Sequence, residues 1–421
     1  MWFRLAAVAV LMAASCAQAR AQSSPLLSLE DAMERVAQSH PRLRLFELRR
    51  QTLAAEQELA VQTPPWMLGA EVENALGSGS YRGFDGADLT LSLASVFERG
   101  GKLDARRALA QSRIDGLSVQ REMQRLDVLA EVARRYLAVG VAQQQQRIAE
   151  RDIAQRRRAL QAARQRLQAG ASPASVMLTA QAALARAELD RDRALQQQTA
   201  ARQYLAALWG DQQADFRVGD AGMFELPSLA TLPVLVDYLQ QTPELARFAS
   251  DQRIGEARLQ LARSQRNADW QWMVGARSIE GGADVGLLAS VSVPLASASR
   301  AQPGIRLAES ELAQLQVERE ASALSLYSTL VEAHGRYQLD QREVARLQQQ
   351  VLPAWEEAAK AAERAYRAGA ASSLEWAQLQ SELIQAQRQQ LAVASDAHAA
   401  LIEIQRLTGQ PMLAGPQEVR P

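Results

Sequence analysis

The residues that could bind a metal or catalyse a reaction are few and scattered along the 421-residue chain. Its three histidines are His40, His334 and His398. His40 comes directly before Pro41 at a predicted helix start, and the other two lie on long predicted helices with no ligand set nearby. Metal sites need clustered histidine, cysteine or carboxylate groups. We therefore expect no metal site and no cofactor.

Recognisable catalytic motifs are missing from the sequence as well. There is no phosphate-binding glycine loop, no Gly-x-Ser-x-Gly elbow and no His-Glu-x-x-His motif. The glycine-rich segment 77–80 joins two predicted strands and opens no helix, so we interpret it as a loop between strands and not as a phosphate-binding loop. We expect that the protein is not an enzyme.

Charge gives one further hint of a partner. Arg156, Arg157 and Arg158 could contact an acidic surface, although a solvated helix face is the more ordinary interpretation. The whole chain carries 47 basic and 47 acidic residues. Such a balance gives no reason to expect binding to nucleic acid.

The first 21 residues predict a secretion signal. A basic start at Arg4 precedes the apolar stretch 5–14, and small residues allow cleavage after Ala21. The apolar stretch is too short to cross a bilayer. Lipidation of Cys16 remains an alternative; cleavage after Ala21 would remove this single cysteine. An exported chain without cysteine uses neither disulfides nor thiolate ligands.

The strongest internal feature of the chain is a repeat. Five short segments of the first half recur in the same order in the second half, including the glycines at Gly170 and Gly369. We predict a first structural repeat at 22–213, a connector at 214–228, a second repeat at 229–410 and a flexible tail at 411–421. The matched segments are 39–43 with 241–245, 66–70 with 272–276, 86–89 with 282–285, 169–171 with 368–370, and 208–210 with 407–409.

Each repeat contains a pair of predicted strands with the alternation of apolar and polar residues that is typical of strands. Their length suits a tilted crossing of a bilayer. Trp66, Trp270 and Trp272 lie at strand ends, like the aromatic residues at a membrane interface. A half-buried hairpin in a soluble domain is the alternative, but two matched hairpins after an export signal favour a barrel. The predicted strands are 65–76, 86–97, 268–280 and 283–295.

Four strands cannot close a membrane barrel by themselves. Their edges would stay unpaired in lipid, and eight strands is the smallest number observed in such barrels. We therefore expect the chain to oligomerise.

Long predicted helices follow each hairpin, at about 103–168 and 174–208, then 304–367 and 372–407. The first would measure about 100 Å at 1.5 Å per residue, and it shows coiled-coil spacing of its apolar residues. Gly170 and Gly369 break the helices and allow the chain to turn. Pro353 predicts a kink.

Several segments resemble one family closely. They are Glu73-Asn74, the run 98–102 with Arg106 downstream, the run 300–305, and the glycine turns. Together they resemble the TolC-like outer membrane factors, also known as outer membrane efflux proteins, in the CzcC-like heavy-metal efflux branch. Leu103 departs from the arginine that is usual there.

This resemblance implies a mixed α and β membrane protein in the outer membrane. Three chains would form a homotrimer whose 12-stranded barrel contacts outer-membrane lipid and continues as a helical tunnel through the periplasm. A periplasmic adaptor (membrane fusion) protein and an inner-membrane RND pump would dock at the far end. The protein would then be the exit duct of an efflux system for heavy-metal cations. A periplasmic coiled-coil adaptor or scaffold without a membrane barrel is the alternative.

Two groups of residues are the candidate sites. Where the strands lead into the helices, Gly100 and Gly101 are predicted to form the barrel-to-helix junction, because glycine tolerates unusual backbone angles. The resemblance adds Lys102 and Gly304 to this junction. At the other end, Gly170, Gly369 and Glu375 are predicted to form the periplasmic gate.

Overall fold

The computed structural model describes residues 26–79, 82–84, 86–219, 222–279 and 284–412. The predicted secretion signal at 1–21 lies outside the described residues, and so does most of the predicted tail. None of the described helices is both long enough and apolar enough to cross a membrane.

The first half of the chain begins with a short strand and two helices whose starts follow from local chemistry. Ser28 and Asp31 form a capping box, in which Ser28 Oγ accepts from the Asp31 backbone N–H at 3.0 Å and the Asp31 carboxylate accepts from the Ser28 N–H. Pro41 opens the next helix, where its missing N–H costs nothing. In order, the elements are β1 (Leu26–Leu27), α1 (Leu29–Ser39), α2 (Pro41–Ala60), β2 (Met67–Glu73), β3 (Asp88–Phe97), α3 (Lys102–Gln168) and α4 (Ala174–Ala206).

The second half repeats this order with local differences. Its elements are β4 (Arg217–Val218), α5 (Leu232–Leu239), α6 (Pro243–Ser264), β5 (Trp270–Ile279), β6 (Asp284–Ser292), α7 (Ser297–Arg346), α8 (Leu352–Arg367) and α9 (Ser373–Thr408). All four long strands are shorter than predicted. Asn74, with a φ of 57°, ends β2 early, because this backbone angle is incompatible with a strand.

The predicted start of the third long helix at 304 was wrong, since α7 begins at Ser297. Pro303 therefore lies inside the helix, where it removes one backbone hydrogen bond that a helix of 50 residues can lose. The chain turns into α7 at Ala296, whose φ is 63°.

The helix is interrupted where Pro353 predicted a kink. A five-residue π-helical turn, Leu347–Val351, separates α7 from α8. Its backbone bond from Leu352 N–H to the Leu347 carbonyl spans five residues instead of four. The wider turn lies directly before the proline, whose ring would otherwise press on the carbonyl of Gln349.

One antiparallel sheet combines the hairpins of both repeats, in the order β2-β3-β5-β6. The central pairing is between β3 and β5, with Leu91 opposite Ala276. The outer strands β2 and β6 each have one edge without a partner among the described residues.

The predicted connector contains a short strand that the sequence did not indicate. Here β4 pairs in parallel with β1, matching Leu27 with Val218. Both side chains are buried, at 2% and 3% exposure. Two-residue strands are too short for a periodicity signal.

The chain divides into two compact units that do not coincide with the two repeats. One comprises residues up to 41, 125–239 and 327 onward; the other comprises 42–124 and 240–326. The first contains the most deeply buried large side chains, among them Leu205, Leu235, Leu330, Tyr337 and Ile404. The second contains the four-stranded sheet.

Candidate functional site

One face of the sheet is apolar and exposed in the single chain. The register places Ala70, Leu91, Ala276 and Leu287 in one row across the four strands. Leu287 is 90% exposed, and Leu68 on the same face is 82% exposed. Apolar side chains in this number are unusual on a surface in contact with water, so the face requires an apolar environment.

Aromatic side chains cluster at the end of the sheet where β3 leads into α3. Trp66 and Trp272 meet edge to face, with ring centroids 5.4 Å apart. The guanidinium of Arg99 lies 4.7 Å from the Trp270 ring centroid. Apolar rings beside a cation suit the boundary between lipid and water.

The opposite face of the sheet is polar. Glu71, Thr90 and Arg277 follow one another in a single row. Arg277 pairs with Glu73 and donates from Nε to Thr90 Oγ1 at 2.9 Å. The sheet thus separates an apolar face from a hydrophilic one, as the wall of an aqueous channel does.

The predicted junction residues Gly100 and Gly101 lie in the turn between β3 and α3. Their φ angles are 80° and 69°, in the left-handed region that glycine tolerates best. A Cβ atom on Gly100 would lie 2.2 Å from the Asn267 side-chain nitrogen. The space around Gly101 is open. Gly100 is therefore constrained by both angle and contact, and Gly101 by angle alone.

Lys102, at the start of α3, forms an ion pair with Asp269, which lies just before β5. Its Nζ lies 2.7 Å from Asp269 Oδ2, and its side chain is 6% exposed. Asp269 also accepts from the Arg99 backbone N–H at 3.1 Å. This carboxylate directly precedes β5, so it couples the start of α3 to the second hairpin.

A second ion pair that was not predicted as part of the site supports the same turn. Arg106 binds Glu98 through two bonds of 2.7 Å, and its Nε donates to the Ala60 carbonyl at 2.8 Å. Bidentate pairing of this kind fixes the orientation of the guanidinium relative to the carboxylate as well as the distance between them. Arg106 and Glu98 were visible as family signals, but their contact depends on the fold of the turn.

Gly304 does not belong to the junction. It is an exposed residue within α7 with nothing near its Cβ position. The prediction was wrong because α7 already begins at Ser297, and the chain turns into it at Ala296. Alanine at a positive φ gives no sequence signal of the kind that glycine gives.

Gly170 and Gly369 end α3 and α8 in the same way. Their φ angles are 67° and 81°. The Ala171 N–H donates to the Arg166 carbonyl at 2.8 Å, and the Ala370 N–H donates to the Ala365 carbonyl at 2.8 Å. Both turns are the glycine-dependent helix ends known as Schellman motifs.

Glu375 lies in the first turn of α9, closer to the helix start than its distance from Gly369 suggested. Its backbone N–H donates to Oγ of the capping residue Ser372 at 3.1 Å. The side chain is exposed. An acid at this position also interacts favourably with the helix N-terminus, so Glu375 has a structural role whatever else it does.

Next to Glu375, an aromatic pair holds α8 and α9 together. Trp376 and Tyr366 are 2% and 3% exposed, with ring centroids 5.0 Å apart. The guanidinium of Arg166 lies 4.9 Å from the Tyr366 ring centroid and donates to the Tyr366 carbonyl at 3.0 Å. The two glycine turns are thus tied to each other through three side chains.

The connector is fastened to the helices by buried side chains that no motif in the sequence marks as a set. His398 Nε2 lies 3.1 Å from the Met223 carbonyl, and Tyr337 donates to the Pro227 carbonyl. Burial lowers the pKa of His398 and raises the pKa of Tyr337. His398 is therefore a structural residue. Among the described residues, no three histidine, cysteine or acid side chains are placed to hold a metal ion.

Comparison with known proteins decides the family. The model of the family described as outer membrane efflux protein matches residues 5–211 and 234–410, most of the chain. The chain belongs to this family. It is therefore a channel protein of the outer membrane and not an enzyme.

Individual members of the outer membrane efflux proteins agree with this assignment. The cobalt-zinc-cadmium resistance protein CzcC of Cupriavidus metallidurans is 28% identical over 329 residues, covering 76% of this chain and 77% of that protein. A solved structure of CusC has a TM-score of 0.75 at 16% identity, over 90% of this chain and 91% of that chain. VceC from Vibrio cholerae has a TM-score of 0.73 at 16% identity, over 90% and 96%.

Proposed function

We propose that this outer membrane efflux protein is the exit duct of a tripartite RND-type system that exports heavy-metal cations. The observation that carries the duct is the four-stranded sheet, with one exposed apolar face, one polar face and two edges that have no partner among the described residues. Lipid would cover the apolar face, and a second chain would pair each edge. Unpaired edges and water-exposed apolar faces are both unfavourable.

A homotrimer is the assembly that we propose. Three chains of four strands give 12 strands, which is within the range of membrane barrels. The polar row with Arg277 and Thr90 would then line the channel. The long helices would continue it into the periplasm toward an adaptor protein and an inner-membrane RND pump.

The choice of heavy metals rests on likeness to CzcC, whose name states cobalt, zinc and cadmium resistance. No dedicated metal site is needed in the duct, because the metal ions are its cargo. We propose that selection of the ion occurs elsewhere in the system.

The test is growth of the source bacterium without this gene on graded zinc, cobalt and cadmium. We expect tolerance to fall and to return with the wild-type gene. A variant with Leu68 and Leu287 replaced by aspartate should not restore tolerance, because charges on the apolar face oppose contact with lipid. Unchanged tolerance to all three metals after deletion would contradict the proposed cargo.

A further inference from the structure

A basic cleft of about 450 Å³ lies between α3 and α8, beside the turns at Gly170 and Gly369. Its α3 side is a single helix face, since the lining residues recur at intervals of three and four. Tyr366 and Arg367 form its α8 side. The residues on α3 are Arg158, Gln161, Ala162, Gln165 and Arg166, and Ala169 directly follows the end of this helix.

Three guanidinium groups, from Arg158, Arg166 and Arg367, line this cleft. No acidic residue lines it among the residues that the structure describes. Arg367 pairs with Glu363 on its own helix at 2.6 Å, whereas Arg158 is exposed and has no carboxylate partner in the described part of the chain. The cleft therefore has an excess of positive charge.

Arg166 is held in place before any ligand arrives. Its Nη1 donates to the Tyr366 carbonyl at 3.0 Å, and its guanidinium lies against the Tyr366 ring. A side chain that is already ordered loses little conformational freedom on binding. Its remaining N–H groups can donate to an anion, and guanidinium geometry matches a carboxylate.

We propose that this cleft is the docking site for aspartate or glutamate side chains at the end of a periplasmic protein partner. The proposal rests on the proposed function, because it assigns a surface to the adaptor of the efflux system. The cleft is much larger than a single carboxylate, and Gln161 and Gln165 supply amide donors and acceptors that suit a polypeptide. Its charge favours an acidic partner over a basic one.

Titration of the purified full-length protein in detergent tests this proposal. The probe is a capped, fluorescent helical peptide with glutamates at positions i, i+4 and i+8, compared with a twin that has glutamine at those positions. We expect the glutamate peptide to bind more tightly, and its binding to weaken in high salt. Arg158→Glu and Arg367→Glu should each weaken binding about tenfold or more, the effect of losing one charge-assisted contact.

Arg164→Glu is the matched control. Arg164 is exposed on the same end of α3 but does not line the cleft. We expect the Arg164→Glu variant to bind the glutamate peptide within about twofold of the wild-type affinity. This substitution changes the net charge as much as Arg158→Glu does, but it lies outside the cleft. An equal loss in Arg164→Glu would overturn the proposal, since it would indicate only general attraction. Equal binding of the two peptides, or no binding, would also overturn it.

Two further measurements on the same preparations separate the alternatives. If Arg158→Glu releases smaller species from a native trimer, the cleft belongs to contacts between copies and the proposal is wrong. If the protein conducts in planar bilayers but does not bind the glutamate peptide, the proposed docking site is wrong and the proposed duct is not affected. Peptide binding by a preparation that never conducts would support the docking site and contradict the duct.

Discussion

At the scale of single residues, the tightest constraint lies in the turn between β3 and α3. Gly100 and Gly101 both have positive φ angles, but only Gly100 also lies against Asn267. We expect Gly100→Ala to lower the thermal midpoint and the yield of assembled protein more than Gly101→Ala does. The left-handed angle costs alanine about 1–2 kcal/mol at either position, and the contact adds to this at Gly100.

Thermal melts of both variants in one detergent check this expectation. Gly101→Asn is a useful control, because asparagine tolerates the left-handed region better than alanine does. Equal destabilisation by Gly100→Ala and Gly101→Ala would show that the contact with Asn267 is unimportant.

Glu375 is the residue that we propose for the periplasmic gate. In a trimer, one exposed carboxylate per chain would form a ring of three, and such rings favour cations. We expect Glu375→Gln to reduce cation selectivity, measured as a smaller reversal potential in a salt gradient. The substitution keeps the bond to Ser372, because that bond uses the backbone N–H. Glu382→Gln, further along α9, should change the reversal potential much less.

If Glu375→Gln leaves the reversal potential unchanged, the role of Glu375 is limited to the start of α9. Closure of the channel would then depend on packing of the Tyr366–Trp376 pair and its neighbours.

The junction contains features that the sequence predicts and contacts that it does not. The glycine pair was predictable, since a strand that leads directly into a helix needs a sharp turn. The partner of Lys102 was not, because Asp269 lies 167 positions away and only the pairing of β3 with β5 brings it close. The same holds for Trp66 and Trp272, whose contact crosses two hairpins.

At the scale of elements, the periodicity of the sequence predicted the long helices and strands. It did not predict the two-residue strands or the π-helical turn. Alternating residues indicated all four long strands, and the absence of proline indicated the extent of α3. The start of α7 was misplaced because the chain turns into this helix at Ala296, and alanine gives no turn signal in the sequence. The π-helical turn at Leu347–Val351 has no distinctive composition, and Pro353 alone predicted a disturbance there.

The π-helical turn leads to a prediction of its own. Deletion of Gln349 should convert this turn to α-helix and bring the ring of Pro353 against a carbonyl, at a cost of about 3 kcal/mol. We therefore expect the deletion to lower the thermal midpoint. Combining it with Pro353→Ala should restore much of the loss, because alanine has no ring to collide. Equal midpoints for the deletion with and without Pro353→Ala would show that the turn does not serve the proline.

At the scale of the whole molecule, the two repeats and the two compact units divide the chain differently. Each unit takes segments from both repeats. In the unit that contains the sheet, β3 of the first repeat pairs with β5 of the second. Internal similarity predicted the order of elements in each half. It did not predict how the halves combine, which depends on hydrogen bonds between strands far apart in the sequence.

We propose that three copies close a barrel by pairing β2 of one chain with β6 of the next. The most direct measurement is disulfide formation in cells between a cysteine at Ala70 on β2 and one at Val285, Leu287 or Ala289 on β6. Cys16 is the only native cysteine, so the unmodified chain and each single variant serve as controls. We predict a ladder of covalent dimer and trimer for at least one pair, ending at the trimer. Finding only monomer for every pair would contradict this proposal, and it is the result expected of a periplasmic scaffold without a barrel. A ladder that continues past the trimer would also contradict it.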